Sequence, residues 1–125
     1  MFTSLTLLDA QLPAQDPNVT GGAAPRDTHR MARLSEAQIQ DRVQQIHEWT
    51  RDGNTIRRQF VFDGFASAVA FVVRIGFDAE AADHHPDVLI SNYKKVTVTF
   101  TTHSAGGLTE KDFAGAEAVN RVFAK

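Results

Sequence analysis

The segment KKVTVTFTT, Lys94–Thr102, decides the fold. Val96, Val98 and Phe100 alternate with Thr97, Thr99 and Thr101, the two-residue period of a strand with one apolar and one hydroxylated face. A sheet apolar on one side is covered by helices on that side, and helical patterns lie on both flanks of this strand. Downstream, Gly106-Gly107 breaks it. Thr109 and Asp112 then form a capping box, with Leu108 and Phe113 as its hydrophobic staple. The last helix runs to about Phe123, with Phe113, Ala116, Val119 and Phe123 inward. Upstream, Val88–Ile90 is a weaker strand, and Pro86 cannot continue the helix that precedes it.

That second helix spans Phe65–Ala82, with Asp63 as its expected cap. Phe65, Ala68, Val69, Val72, Ile75 and Ala79 form a broad apolar face, which Phe71 and Val73 widen almost all round. Such a helix is expected to be heavily buried, on a sheet or between subunits. Before it, Asp52-Gly53 is a hairpin turn between strands at Trp49–Arg51 and Thr55–Phe62. Ile56, Phe60 and Phe62 share one strand face, on which Arg58 is the exception. Ser35 with Gln38 is another capping box, stapled by Leu34 and Ile39, and opens a helix through Ile39, Val43 and Ile46 that ends near Trp49. The fold class is α+β: a four-stranded antiparallel sheet with three helices on one face, in the order α-β-β-α-β-β-α.

The first thirty residues differ. Three of the four prolines (Pro13, Pro17, Pro25) and Gly21-Gly22 fall there, without sustained periodicity. Residues 1–30 are expected to be a disordered extension, and 31–125 the domain. Met31 is a candidate start codon, and the apolar Phe2–Leu8 lacks the basic flank of a secretory signal. At 125 residues the chain has room for one modest core. Its formal charge of −2 gives no electrostatic pull toward nucleic acid or an anionic membrane. No apolar run reaches the roughly 20 residues of a membrane span. The chain has no cysteine, which removes thiolate chemistry and fits a cytoplasmic location.

Chemistry concentrates at Asp83-His84-His85-Pro86-Asp87 and at His103. Two adjacent histidines leave a helix into a proline-fixed turn, and the third ends a strand before a Gly-Gly loop. Rigidly held loop positions are where chemistry tends to sit. Zinc or iron held by the three histidines with Asp83 or Asp87 is the first competing reading. Adjacent histidines tend to point apart, however, and no i,i+4 histidine pair exists. No serine sits in a nucleophile elbow, and Gly106-Gly107 alone is no phosphate loop. Acid–base catalysis asks less, because imidazole exchanges protons near neutral pH.

Glu80-x3-His84-His85-Pro86, with six residues then separating Tyr93, nine more His103 and eight more Asp112, resembles the signature of the pterin-4a-carbinolamine dehydratase family. The Leu34-Ser35 opening, Trp49, Phe60-x-Phe62 and Gly106-Gly107-Leu108-Thr109-Glu110-Lys111-Asp112 extend the resemblance over Met31–Lys125. It implies dehydration of a 4a-hydroxytetrahydropterin to the quinonoid dihydropterin, which regenerates the cofactor spent by aromatic amino-acid hydroxylases. It also implies a pterin as small-molecule partner, no metal or organic cofactor, and a homodimer or homotetramer. By analogy His84, His85 and His103 are catalytic, with His85 closest to proton transfer. Glu80, Pro86 and Asp87 are then expected to contact substrate. Asp112 is fully explained as a cap, Tyr93 as packing or strand edge, and His29 and His47 as tail and helix surface. Val88 stands where some members carry tryptophan, so the pocket lining is expected to differ. A dimerisation or assembly module of the same fold is the competing reading.

Overall fold

The computed structural model describes residues 32–125. The expectations of a disordered tail and a Met31 start fall outside that range. Three helices and four strands follow in the expected order: α1 (Glu36–Gln45), β1 (Thr50–Asp52), β2 (Thr55–Val61), α2 (Phe65–Ala82), β3 (Asp87–Ser91), β4 (Lys95–Phe100) and α3 (Glu110–Ala124). The sheet is antiparallel throughout, in the spatial order β1-β2-β4-β3. β4 is therefore central, as its clean alternation requires: Val96, Val98 and Phe100 are buried, while Thr97 and Thr99 are only half-buried.

One core fills the helical side. Ile56 and Phe60 of β2 and the three buried side chains of β4 meet Ile39 of α1, Ala68, Phe71 and Ile75 of α2, and Phe113, Ala116 and Val119 of α3. Arg58, the sequence exception on the inward face of β2, is held between an aromatic ring and a side-chain amide. Its guanidinium sits 4.4 Å from the Phe60 ring centroid and donates to Asn120 Oδ1 at 2.8 Å. Trp49 Nε1 donates to the same oxygen, also at 2.8 Å, so α3 is tied to β2 and to the entry of β1.

Both capping boxes form. Ser35 and Gln38 cap α1 reciprocally, and Thr109 and Asp112 cap α3. Several local expectations need correction. α1 stops at Gln45, short of Trp49, because Ile46 is already extended and Glu48 turns the chain at φ 71°, which delivers Ile46 and Trp49 into the core. The cap of α2 is Gly64 and not Asp63, whose carboxylate instead accepts from Ser67 Oγ at 3.1 Å. Tyr93 is neither packed nor on a strand: it lies in the loop from β3 to β4, at positive φ beside Asn92, and is exposed.

α2 packs only one side of its apolar surface against this core. Ala68, Phe71 and Ile75 are buried as expected, but Phe65, Val69, Val73 and Phe77 form a continuous i,i+4 stripe facing away from the core, with Phe77 74% exposed.

Candidate active site

The fold delivers the histidines to one end of the β3–β4 pair. Asp87 at the start of β3 pairs with Thr99 near the end of β4, so the turn before β3 and the exit from β4 lie at the same sheet end. α3 begins there too, through its Thr109–Asp112 cap.

A Schellman turn closes α2 and launches the histidines. Asp83 adopts the left-handed conformation (φ 52°, ψ 42°), with its N–H donating to the Glu80 carbonyl and His84 N–H to the Ala79 carbonyl. Proline at 86 then stops any return to helix. The two rings separate, as adjacent histidines tend to do. His84 turns inward: its side chain is 13% exposed, it stacks on Phe100 at 5.7 Å between centroids, and its Nε2 lies 2.6 Å from Asp112 Oδ1. His85 turns outward and pairs its Nε2 with Glu80 Oε1 at 2.8 Å. Each ring is thus held by one carboxylate, one pair buried and the other in solvent.

Asp112 sits at the centre and is fully buried. Its Oδ2 accepts from the Thr109 backbone N–H at 2.9 Å and from Thr102 Oγ1 at 2.8 Å, and its Oδ1 faces His84. The structural reading of this residue as a cap is therefore right and incomplete. The same carboxylate closes the capping box and holds the first histidine. His103 opens a single 3-10 turn, His103–Ala105, next to Thr102, and is exposed. Reciprocal backbone bonds between Thr102 and Gly107 pin the base of that loop. His84 and the residue preceding His103 are thereby joined through one buried carboxylate. Asp87 is exposed at the head of β3.

A mostly apolar cavity of about 260 Å³ adjoins His84 between α2 and α3, with Pro86, Phe100, Ala79, Ala82 and Gly115 among its walls. His85 and His103 do not line it. The chemical reading therefore rests on the histidine–carboxylate geometry and not on that cavity. Among the described residues, no three His, Cys, Asp or Glu side chains come together in an arrangement suited to a metal ion. No helix there is long and apolar enough to cross a membrane.

The family model described as Pterin 4 alpha carbinolamine dehydratase matches residues 32–122. A Roseiflexus sp. (strain RS-1) protein named "Putative pterin-4-alpha-carbinolamine dehydratase" is 51% identical over 72% of this chain and 96% of its own length. A Chloroflexus aurantiacus protein of the same name is 49% identical over 74% of this chain and 98% of its own. Among solved structures, a Brucella melitensis protein described as a transcriptional coactivator/pterin dehydratase superposes with a TM-score of 0.68 at 33% identity, covering 72% of this chain and 97% of that one. A pterin dehydratase-like protein identified as a RuBisCO assembly factor in the alpha-carboxysome shares the fold at a TM-score of 0.51 and 23% identity, over 61% of this chain and 89% of that one.

Proposed function

We propose, for a chain that belongs to the pterin 4 alpha carbinolamine dehydratase family, that this domain dehydrates 4a-hydroxytetrahydropterin to quinonoid dihydropterin and water by histidine acid–base catalysis. The product would return to the pterin cycle of an aromatic amino-acid hydroxylase. The observation that carries the reading is the pair of oriented imidazoles: His84 on buried Asp112 and His85 on Glu80. A carboxylate behind an imidazole fixes the ring and its tautomer, which is what a proton-transfer group requires.

The elimination needs two proton movements. An acid delivers a proton as the C4a–O bond breaks and its electron pair leaves on oxygen. A base removes a proton from a ring nitrogen as the C=N bond forms. The proton given by the acid departs in the water, the proton from the ring nitrogen stays on the base, and exchange with solvent returns both groups to their starting states. His85, solvent-facing and backed by Glu80, is the group we assign closest to proton transfer. His84 and His103 assist at the departing hydroxyl, and Glu80, Pro86 and Asp87 border the substrate. No metal enters this scheme.

The test follows ultraviolet absorbance of freshly generated 4a-carbinolamine, with and without the protein, before and after exhaustive chelation. Acceleration that survives chelation and drops on the order of 10²–10⁴-fold in His85→Ala supports the reading. A change under about threefold rejects His85.

A second reading, a protein-assembly module, has its own observation. Phe65, Val69, Val73 and Phe77 are exposed at i,i+4 spacing along one face of α2, and apolar side chains grouped on a surface mark sites of protein–protein contact. This face also supports self-association as a homodimer or homotetramer, which is compatible with catalysis. Sedimentation at micromolar concentration tests this, and a lone monomer counts against it.

A further inference from the structure

We propose that Thr102 is a positioning residue: a one-way chain of hydroxyl hydrogen bonds through it aims the Asp112 carboxylate at His84 and leaves Nδ1 as the nitrogen of that ring available for proton exchange. The inference rests on the dehydratase reading only for its kinetic consequence.

The direction of the chain follows from two fixed backbone donors. Lys111 N–H donates to Thr109 Oγ1 at 3.2 Å, and Thr109 N–H donates to Asp112 Oδ2 at 2.9 Å. Thr109 Oγ1 lies 2.9 Å from Thr102 Oγ1, which lies 2.8 Å from Asp112 Oδ2. Both threonines and the aspartate are buried, at 7%, 0% and 0% exposure, so each hydroxyl proton must find a protein acceptor. If Thr102 gave its proton to Thr109, the carboxylate would lose a donor and the Thr109 proton would have no acceptor among these contacts. The satisfied order therefore runs from Lys111 N–H to Thr109, then Thr102, then Asp112.

With Oδ2 occupied by two donors, Oδ1 is the oxygen that receives His84. A carboxylate oxygen offers no hydrogen, so the ring nitrogen 2.6 Å away must carry one. In the neutral ring the proton is then on Nε2, and Nδ1 holds the lone pair. A 180° flip would keep the ring parallel to Phe100 but would set a ring carbon against Asp112 Oδ1, so the 2.6 Å hydrogen bond is what opposes it. Thr102 is also the residue before His103, and its backbone is locked to Gly107 in both directions. One residue thus sets the orientation of the first histidine and anchors the loop that carries the third.

The experiment reads the tautomer directly, by long-range ¹H–¹⁵N correlation of the histidine rings in the full chain at alkaline pH, alongside steady-state dehydration kinetics. The wild type is expected to show His84 protonated at Nε2. In Thr102→Val, near-isosteric and without the hydroxyl, the expected result is a mixed or reversed His84 tautomer, with kcat lower on the order of tenfold and KM within about twofold. Thr102→Ser restores both. Protonation at Nδ1 in the wild type overturns the proposal without recourse to any variant. So does a folded Thr102→Val protein with unchanged tautomer and unchanged kcat. The two readings fail separately. A wild type that does not accelerate dehydration, yet shows the Thr102-dependent tautomer, refutes the proposed activity alone. A fast wild type matched by Thr102→Val refutes the positioning role alone.

Discussion

Replacing Asp112 separates its structural and chemical duties. Asp112→Ala removes the N3 side chain of the α3 capping box and leaves the buried Thr109 N–H without its acceptor. Loss of a cap costs about 1 kcal/mol, and a buried donor left unpaired costs about 1–3 kcal/mol. Thr102 can turn its hydroxyl to Thr109, and His84 has some access to water, so neither contributes its full penalty. The expected destabilisation is about 2–4 kcal/mol, a large share of the roughly 5–15 kcal/mol that holds a domain together. Asp112→Asn behaves differently. Its carbonyl oxygen can accept both Oδ2 donors, so the cap survives at a cost of about 1 kcal/mol. Its NH₂ then meets the hydrogen on His84 Nε2, and the ring must change tautomer or move. Stability is measured by urea unfolding, followed through the fluorescence of Trp49, the single tryptophan and a buried one. The reasoning fails if Asp112→Ala unfolds within about 0.5 kcal/mol of wild type, or if Asp112→Asn keeps full dehydration activity.

Other outcomes follow from neighbouring contacts. Gly115→Ala would place a Cβ 2.6 Å from Phe100 Cζ, in the core and beneath the His84 stack. Overpacking costs about 1–3 kcal/mol, so thermal unfolding should shift down by about 4–8 °C for each kcal/mol, with activity falling too; an unchanged melting temperature contradicts the packing. Phe77→Glu should leave the fold intact, because the side chain is exposed, while shifting sedimentation toward monomer; identical sedimentation would remove α2 from the interface. On α1, hydrogen bonding from Arg51 holds the Glu36 carboxyl below its ordinary range. A lowered carboxyl stabilises the fold above the unfolded value and loses that contribution as pH falls through the folded one. The small stability difference between wild type and Arg51→Met should therefore be present at neutral pH and vanish in acid, and a difference that grows in acid has the wrong sign.

The sheet and helices were legible because their signals are local. The Val-Thr alternation of β4, two capping boxes and one Asp-Gly turn are each contained within a few residues. What escaped was either masked locally or set at long range. Asn92 and Tyr93 form the last turn with non-glycine residues at positive φ, so no Gly signal marked it. Gly64 displaced Asp63 as the cap of α2, where the carboxylate found Ser67 instead. Asp112 was hidden by its own sufficiency: the capping box explains its presence, while its contact with His84 joins positions 28 residues apart. Thr102, just past β4, has the inward parity of Val96, Val98 and Phe100, which marks burial, but only the fold shows that its hydroxyl meets Thr109 and Asp112. Glu80 entered through the resemblance as a substrate contact, and only the geometry of the α2 exit brings it to His85. Arg58 broke the β2 pattern for a reason that requires α3, through Asn120.

The central claim, that His84, His85 and His103 act on one substrate, is tested most directly by comparing each single alanine variant with the triple variant in the carbinolamine dehydration assay. The account predicts losses for the singles that fail to multiply, with the triple at the uncatalysed rate, as expected of groups working as a unit. A folded triple variant that still dehydrates within about threefold of wild type would contradict it, since general acid–base groups are expected to contribute 10²–10⁴-fold.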